Sequence, residues 1–521
     1  MTAHSSHADV LIVGAGPTGL TLAIDLLRHG VRPRLIDRRD GPETGPRALG
    51  LQVRALEIGE ALGVADRWLE RGNWCEGFRL HAGAREETDL AHDLAHLRAP
   101  MEGTLFLDQT ETEAALRDRL GELGGAIEWN AAFQGAHDRG NGFGVLLERD
   151  GERETLHADW LVGADGARSP VREALGIGFP GRDDVPWLVA ELDLDTPLSR
   201  DRVHMCRTPE GNAVLFPFGP GDRWSVVDTE PPARAPETVE ERAALAAVLQ
   251  RRVREATGTS TTVRLGDWVS RFVIPSRHAT AMRAGRGFLA GDAAHVHSPA
   301  SGRGMNGGIE DAVALGWRLA LAVRGSASDA LLDGYRRERE AAAKRLLDFS
   351  WAGTRLIEER PRPVHTALGA LIRLQDRIGP LHDAVARFYT GEMSGLVDGS
   401  SPPRLAALDP AIRGTPAAHA LLEWLRRPHL KALGGRGVSL DAARAVEALV
   451  PNASCAVLGD SLPDPDGALS ATLDLDGRIA IARPDGREAA RCDGTADALA
   501  AALDGAGVRA QEPVPPLDRV A

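Results

Sequence analysis

The hydrophobic pattern opens with a short apolar run, Asp9-Val10-Leu11-Ile12-Val13, and the apolar positions from Leu20 to Leu27 then recur at helical spacing. A second short run, Arg34-Leu35-Ile36-Asp37, completes a strand, turn, helix and strand, which predicts the start of a parallel sheet. Residues 111–123 follow as a helix, with Thr110 as its N-cap and Glu113 three places on. Phe143 to Glu148 and Glu154 to Leu156 flank Asp150-Gly151 and read as a hairpin, leading into the strand Trp160-Leu161-Val162. From about 180 to 275 the texture changes to short alternating runs (188–194, 213–216, 224–227) with one helical interlude near 238–256. That stretch predicts an antiparallel sheet inserted between two pieces of the first domain. Residues 306–346 form one long helical pattern and 352–392 more helix. Gly399-Ser400-Ser401-Pro402-Pro403 reads as a linker, and a second α/β stretch has strands at 456–458 and 478–482 and a turn at Pro484-Asp485-Gly486.

Composition narrows the partners. The 521 residues carry a formal charge of −13, so there is no basic field for a nucleic acid and any anionic ligand must be held locally. No apolar run is long enough for a membrane helix, and the first residues lack the basic and apolar regions of a signal peptide, which points to the cytoplasm. Cys75, Cys206, Cys455 and Cys492 are scattered without CxxC spacing and read as reduced, mostly buried thiols. Only Lys344 and Lys431 of the 61 basic residues are lysines.

Three segments carry the candidate chemistry. Gly14-Ala15-Gly16-Pro17-Thr18-Gly19 follows an apolar strand, opens a helix and has an acid at Asp37 about twenty residues on, the context of a dinucleotide fingerprint. Gly302-Arg303-Gly304-Met305-Asn306-Gly307 matches the same spacing without that context. In the first segment Gly14 and Gly16 let the backbone turn against a pyrophosphate, Gly19 permits close helix packing, and Asp37 accepts from ribose hydroxyls. The other two are Gly163-Ala164-Asp165-Gly166 and Gly291-Asp292-Ala293-Ala294-His295. His295 and His297 have no acidic or thiol partner nearby in sequence, so no metal site is expected there.

In this order and spacing the three segments resemble the FAD contacts of the group A flavoprotein aromatic hydroxylases, and the resemblance extends over the whole chain, toward the polyketide-hydroxylase branch. It implies an FAD-binding Rossmann-like domain of the glutathione-reductase type, an inserted antiparallel-sheet substrate domain and a thioredoxin-like C-terminal domain, here without CxxC. The expected division is 1–75, 105–178 and 277–345 for the FAD domain, and 76–104 and 179–276 for the substrate sheet. A helical connection spans 346–398, and 404–521 is the C-terminal domain. The resemblance makes Asp292 a ligand of the ribityl chain and wraps Pro299, Gly302, Gly304, Met305 and Asn306 around the isoalloxazine. Asp165 serves both FAD and a transient nicotinamide, Gln109 and Glu113 approach the ribityl and adenosine region, and Arg47 lies by the pyrophosphate. Gly291, Pro17, Thr18 and Arg38 complete the cofactor contacts. Trp187, Met205, Phe216 and Pro217 are the substrate candidates.

The implied activity is an NAD(P)H- and O2-dependent monooxygenase. It hydroxylates a polycyclic aromatic polyketide or related phenolic through a flavin C4a-hydroperoxide, with non-covalent FAD, as a monomer or homodimer. Asp37 stands where the family usually has Glu, Ser301 where it commonly has Gly, and Arg303 where it commonly has Gln. Arg303 and Arg54 are the catalytic candidates. A guanidinium turned toward the flavin would favour nucleophilic oxygen, and with it Baeyer-Villiger chemistry or oxidative rearrangement. Arginines mostly lie at the surface, so the expected direction for Arg303 is outward. A flavin halogenase is excluded by the missing tunnel lysine and the missing Trp-x-Trp-x-Ile-Pro string, and a flavin-bound protein without turnover is the remaining alternative.

Overall fold

The computed structural model describes residues 6–358, apart from 44, 46–48, 82–86, 92–103, 184–185, 220, 274 and 298–301, together with 415–508, apart from 451–452, 465–468, 471–472 and 486–487. The first apolar run forms strand β1 (His7–Val13), and Val10, Leu11 and Ile12 are fully buried, as a strand covered on both faces requires. Parallel to it lie β2 (Arg34–Ile36) on one side and β6 (Glu152–Gly163) on the other, and β12 (Gly287–Leu289) is parallel to β6. The hairpin of β5 (Phe143–Arg149) and β6 turns at Asp150 and Gly151, both with positive φ (49° and 82°). The predicted strand at 160–162 is the end of β6, continuous with the hairpin.

Helix α1 (Pro17–Arg28) returns from β1, and α5 (Gly304–Val323) packs against it. Contact is close enough that a Cβ at Gly316 of α5 would collide with the Asp25 carboxylate. Helix α3 (Gln109–Glu122) starts two residues before the expected first turn. Its N-cap is Asp108, not Thr110, because the Asp108 carboxylate accepts from both the amide (2.9 Å) and the hydroxyl (3.1 Å) of Thr110. The helical pattern over 306–346 is likewise two helices. Between α5 and α6 (Asp329–Glu358) the chain turns at Gly325, in a left-handed conformation with φ 75°. Residues 359–414, with the rest of the expected helix and the linker, lie outside the described residues.

The second sheet runs β11 (Thr262–Phe272), β7 (Trp187–Asp195), β10 (Arg223–Asp228), β9 (Gly211–Pro217), β8 (Arg202–Thr208), β3 (Gly77–His81) and the strand Glu87–Ala91. Every pair is antiparallel except β8 with β3, so a segment from before α3 completes the sheet. Alternation along the strands separates its faces. Leu188, Ala190, Leu192, Cys206, Ala213, Leu215 and Trp224 pack with Leu245, Leu249 and Val253 of α4 (Val239–Thr257). That helix begins with a Thr238–Glu241 capping box and is pinned by the buried Asp228–Arg252 ion pair. Trp187, Val203, Val214 and Val227 face the other way, toward Phe106 of β4 (Thr104–Phe106).

The C-terminal unit is a four-stranded mixed sheet in the order β14 (Ser454–Val457), β13 (Lys431–Gly434), β15 (Arg478–Ala482) and β16 (Glu488–Asp493). Strand β13 is parallel to β14 and antiparallel to β15. Trp317, Leu321 and Leu331 of α5 and α6 share one apolar cluster with Leu430, Ala432, Ile479, Ile481 and Leu499 of this unit. Across the same boundary Arg483 pairs with Glu338. All four cysteines are free thiols.

Behind the second sheet, His81 Nε2 lies 2.9 Å from His204 Nδ1, and His204 Nε2 donates to the Ser199 carbonyl (2.8 Å). The carbonyl can only accept, so His204 carries its proton on Nε2, is neutral and accepts from His81 at Nδ1. Burial, His204 and Arg79 push the His81 pKa from 6.5 down to about 4. An unfolded chain therefore binds a proton at His81 that the folded chain refuses, and this contribution to stability, full above pH 6.5, is lost as pH falls toward 4. The expected loss is on the order of 3 kcal/mol. Urea denaturation across that window should show the decline, and His81→Leu should flatten it; an equal decline in both proteins would remove His81 as the cause.

Candidate cofactor and substrate site

Because β1, β2, β6 and β12 are parallel, their carboxyl ends open on the same side, where β1, β6 and β12 each deliver one of the three singled-out segments and β2 delivers Asp37. Gly14 leaves β1 with φ 107°, and a Cβ on it would strike the Ala164 carbonyl. A Cβ on Gly19 would strike the Gly14 carbonyl, so these two glycines close the strand-helix packing. Gly16 differs: nothing lies within 4 Å of the position its Cβ would take. It is also the N-cap of α1, has no side-chain cap, and is followed by Pro17. Open space in front of uncapped amides is what a pyrophosphate occupies. Thr18 is wedged between Gly291 and Gly308, where a side chain on either would meet its hydroxyl.

Asp37 follows β2 and is 7% exposed. Its carboxylate accepts from the amides of Ala15 (2.8 Å) and Arg39 (2.9 Å) and from Arg39 Nε and Nη2 (both 3.0 Å). Burial alone would raise its pKa, but the Arg39 side chain and these amides hold it below the ordinary value. Arg38 is exposed, and Arg39 is the arginine engaged here, 5.8 Å over the Trp129 ring. Gln109 donates to Glu113 (2.8 Å), a buried carboxylate whose pKa burial raises against the pull of Gln109 and Arg39. Asp37, Arg39, Gln109 and Glu113 thus form one polar corner beside the crevice. Arg39 was not singled out from the sequence; its signal there is only adjacency to Asp37.

Asp165 follows β6. Its Oδ2 accepts from the Val171 amide (3.1 Å), while Oδ1 is buried with no hydrogen-bond partner, and burial raises its pKa. Gly166 beside it has φ 84° and open space at its Cβ position. After β12 the chain makes a 3-10 turn, Gly291–Ala293, that presents Asp292 at the surface. His295 does have an acidic partner, contrary to expectation, because α5 brings in Asp311 from sixteen residues on. His295 Nε2 lies 2.7 Å from Asp311 Oδ2, which also accepts from the Gly291 amide (2.9 Å). Arg339 of α6 donates to Asp311 (2.6 Å) and Glu310 (3.1 Å).

The glycine-rich segment before α5 is no second nucleotide turn; it supplies a loop and the start of that helix. Asn306 is fully engaged within the protein: it accepts from the Gln52 amide (2.8 Å) and donates to the carbonyls of Gly50 (2.8 Å) and Gly302 (3.1 Å). Gly302 is exposed with φ 61°, and Gly304 and Met305 are half-buried. Arg303 is 5% exposed, not outward, because the α5 N-terminus tucks beneath α6. There it lines a small cavity with His295, Asn306, Arg339 and Leu346. Arg54 of α2 (Val53–Leu62) donates to Glu57 (2.9 Å) and to the Asp485 carbonyl (2.5 Å) of the C-terminal unit, so it sits at that junction. Arg47, Pro299 and Ser301 lie outside the described residues.

On the sheet face turned toward β4, the structure brings together Trp187, Met205 and Phe216, with Phe106 set edge-on to Phe216 at 5.6 Å. Pro217 pairs with Trp224 and by strand alternation falls on the α4 side, away from the other three. Val189, Val203, Val214, Val227 and Phe106 belong to the apolar face and were not read from the sequence, since alternation alone does not say which face meets the crevice.

The crevice fits FAD on its own features: room at Gly16 and Gly166, a buried acceptor on Asp165 with no partner, and a surface carboxylate at Asp292. A family model described as an FAD binding domain matches residues 7–350. The chain is 38% identical over 519 residues to the 6-methylpretetramide 4-monooxygenase of Streptomyces rimosus, covering 94% of this chain and 92% of that protein. Among solved structures it is similar to CabE, an aromatic hydroxylase from angucycline biosynthesis, with a TM-score of 0.75 and 28% identity over 97% of this chain and all of that one. Aklavinone-11 hydroxylase, solved with FAD and aklavinone, shares the fold with a TM-score of 0.71 at 24% identity, covering 97% of this chain and 99% of that chain. Taken with the convergence of its three glycine- and aspartate-bearing segments on one crevice, these likenesses establish that the chain belongs to the FAD-binding flavin-dependent monooxygenases and has their aromatic-hydroxylase fold.

Proposed function

We propose that this monooxygenase hydroxylates a polycyclic aromatic polyketide or a related phenolic, with NAD(P)H as reductant and O2 as oxygen source. One observation carries the substrate class. Val189, Val227, Val214, Met205 and Leu80 stand directly opposite one another across five neighbouring strands, and Val189, Val227, Val214 and Met205 belong to the apolar cluster that faces Phe106 of β4. At about 4.8 Å per strand they make an uncharged apolar row roughly 19 Å long. That shape suits fused planar rings, and Phe216, with Phe106 edge-on to it, continues it. The similar 6-methylpretetramide 4-monooxygenase and the aromatic hydroxylase from angucycline biosynthesis support the same class.

In this reading Gly16 and the α1 amides hold the pyrophosphate. Asp292 accepts from the ribityl hydroxyls, Oδ1 of Asp165 takes a donor from cofactor or nicotinamide, and the corner of Asp37, Arg39, Gln109 and Glu113 receives the adenosine. All four acceptor positions on Asp37 are already used, so a ribose that binds there displaces Arg39. When bound, FAD supplies the transfer of electrons from nicotinamide to oxygen. The apolar wall excludes water and orients the ring. We further assign the first unit to the Rossmann-like class, from its parallel strands and carboxyl-end crevice, and the C-terminal unit to the thioredoxin-like class, from its four-stranded mixed sheet. Without CxxC, that unit has no thiol redox role.

The direct test is NAD(P)H consumption with and without a panel of polycyclic phenols. Ligand-stimulated consumption, with a product one oxygen atom heavier, is expected; unstimulated consumption and no oxygenated product across the panel would sink the reading. Asp292→Ala should weaken FAD binding by roughly tenfold to a hundredfold, the value of about 1.5–3 kcal/mol for hydrogen bonds to a charged group. Asp292 is exposed, so the apoprotein should melt as wild type does, and equal FAD content in the two proteins would refute its role. Arg303→Gln removes a cation from beside the flavin loop and should lower turnover by about tenfold, ~1.4 kcal/mol, or shift the product distribution, at unchanged FAD content. Unchanged turnover and products would leave Arg303 a packing residue.

A further inference from the structure

The opposite pole of the first sheet carries a cluster that the oxygenase reading does not use. His7 begins β1, and its partner in the parallel register is His157 of β6. Asp159, two residues on, projects from the same face of the strand. Its Oδ1 lies 3.1 Å from Nε2 of His7 and 3.1 Å from Nε2 of His157. The two rings are stacked with centroids 5.7 Å apart, and all three ligand atoms fall within 4.8 Å of one another. Neighbouring glycines keep the surface clear. A Cβ on Gly142 would come within 2.9 Å of the His157 ring, and one on Gly144, opposite His157, would collide with His137.

Two imidazole nitrogens and one carboxylate oxygen form the donor set of a borderline divalent ion. An ion with ligand bonds of about 2.0–2.1 Å in tetrahedral geometry separates its ligands by roughly 3.3–3.4 Å, close to the 3.1 Å found on both sides of Asp159. Asp9 adds an outer contact, its carboxylate 3.8 Å from Nδ1 of His7, on the side of the ring away from Asp159. A carboxylate behind a ligating imidazole fixes its tautomer and raises its basicity. The three side chains are 48%, 21% and 34% exposed, so an ion can enter and water can complete its coordination.

We propose that His7, His157 and Asp159 bind one Zn(II) or a similar borderline transition-metal ion. The site clips the start of β1 to β6 at the end of the sheet away from the cofactor. From His7 to Val13 the strand runs about 20 Å, so the ion takes no part in chemistry at the crevice. Mg(II) and Ca(II), which need more oxygen ligands, are rejected.

The test uses untagged, full-length, FAD-loaded protein freed of metal by a chelator and titrated with Zn(II) against a chromophoric indicator. One equivalent should bind in the micromolar range, undisturbed by millimolar Mg(II), and raise the melting temperature. Asp159→Asn and His157→Gln should each weaken that equivalent by at least about tenfold and abolish the melting shift, while keeping wild-type FAD content. The proposal is overturned if wild type shows no saturable binding below about 100 μM, or if either variant binds as wild type does.

Discussion

Asp311 is buried in the middle of α5 and accepts from three directions: the Gly291 amide, His295 and Arg339. Burying a carboxylate is costly, and here Arg339 and His295 more than offset the burial, so its pKa is held down at about 2. The carboxylate fixes the first residue of the turn that presents Asp292, and His295 just after that turn. Through Arg339 it also joins α6 to α5, while Glu310 shares the same guanidinium. Once assembled, such a cluster is hard to take apart, since loss of one buried partner costs about 3–5 kcal/mol. The strand-end side of the crevice is thereby set by charge, and the face proposed for the substrate by apolar packing.

The division follows from the different physics of the two jobs. A cofactor with a pyrophosphate and a polyhydroxyl chain needs donors and acceptors at fixed points, and the ends of parallel strands supply them. The planar aromatic proposed as substrate needs an apolar surface, and one face of the antiparallel sheet is apolar. The other face is spent on α4, with its buried Asp228–Arg252 pair and its neutral histidine pair.

What was legible in the sequence was local. The first strand, helix and second strand come from residues within about thirty positions, and the hairpin at Asp150-Gly151 from fewer. The three motifs were legible because each sits at the end of its own strand. Contacts made across the fold were not. No spacing rule links His295 to Asp311 or Arg339, and residues 77–81 are placed with the second sheet only by the family resemblance, not by their own pattern. Burial of Arg303 is a tertiary outcome of the same kind, set by α6. Pro217 was misplaced beside Phe216 because adjacent residues on a strand point to opposite faces.

The apolar cluster that joins Trp317 and Leu331 to Ile479 and Leu499 bears on modularity. Two units that look separable by topology share one interior, with Arg483 and Glu338 paired across it and Arg54 reaching the Asp485 carbonyl. Arg54 is two residues from Gln52, whose amide anchors Asn306 at the start of α5. Cutting the chain after α6 would strip oil and charge together from the back of the cofactor unit. The C-terminal unit is therefore a structural part of the enzyme body, sharing an interior with the helices it covers.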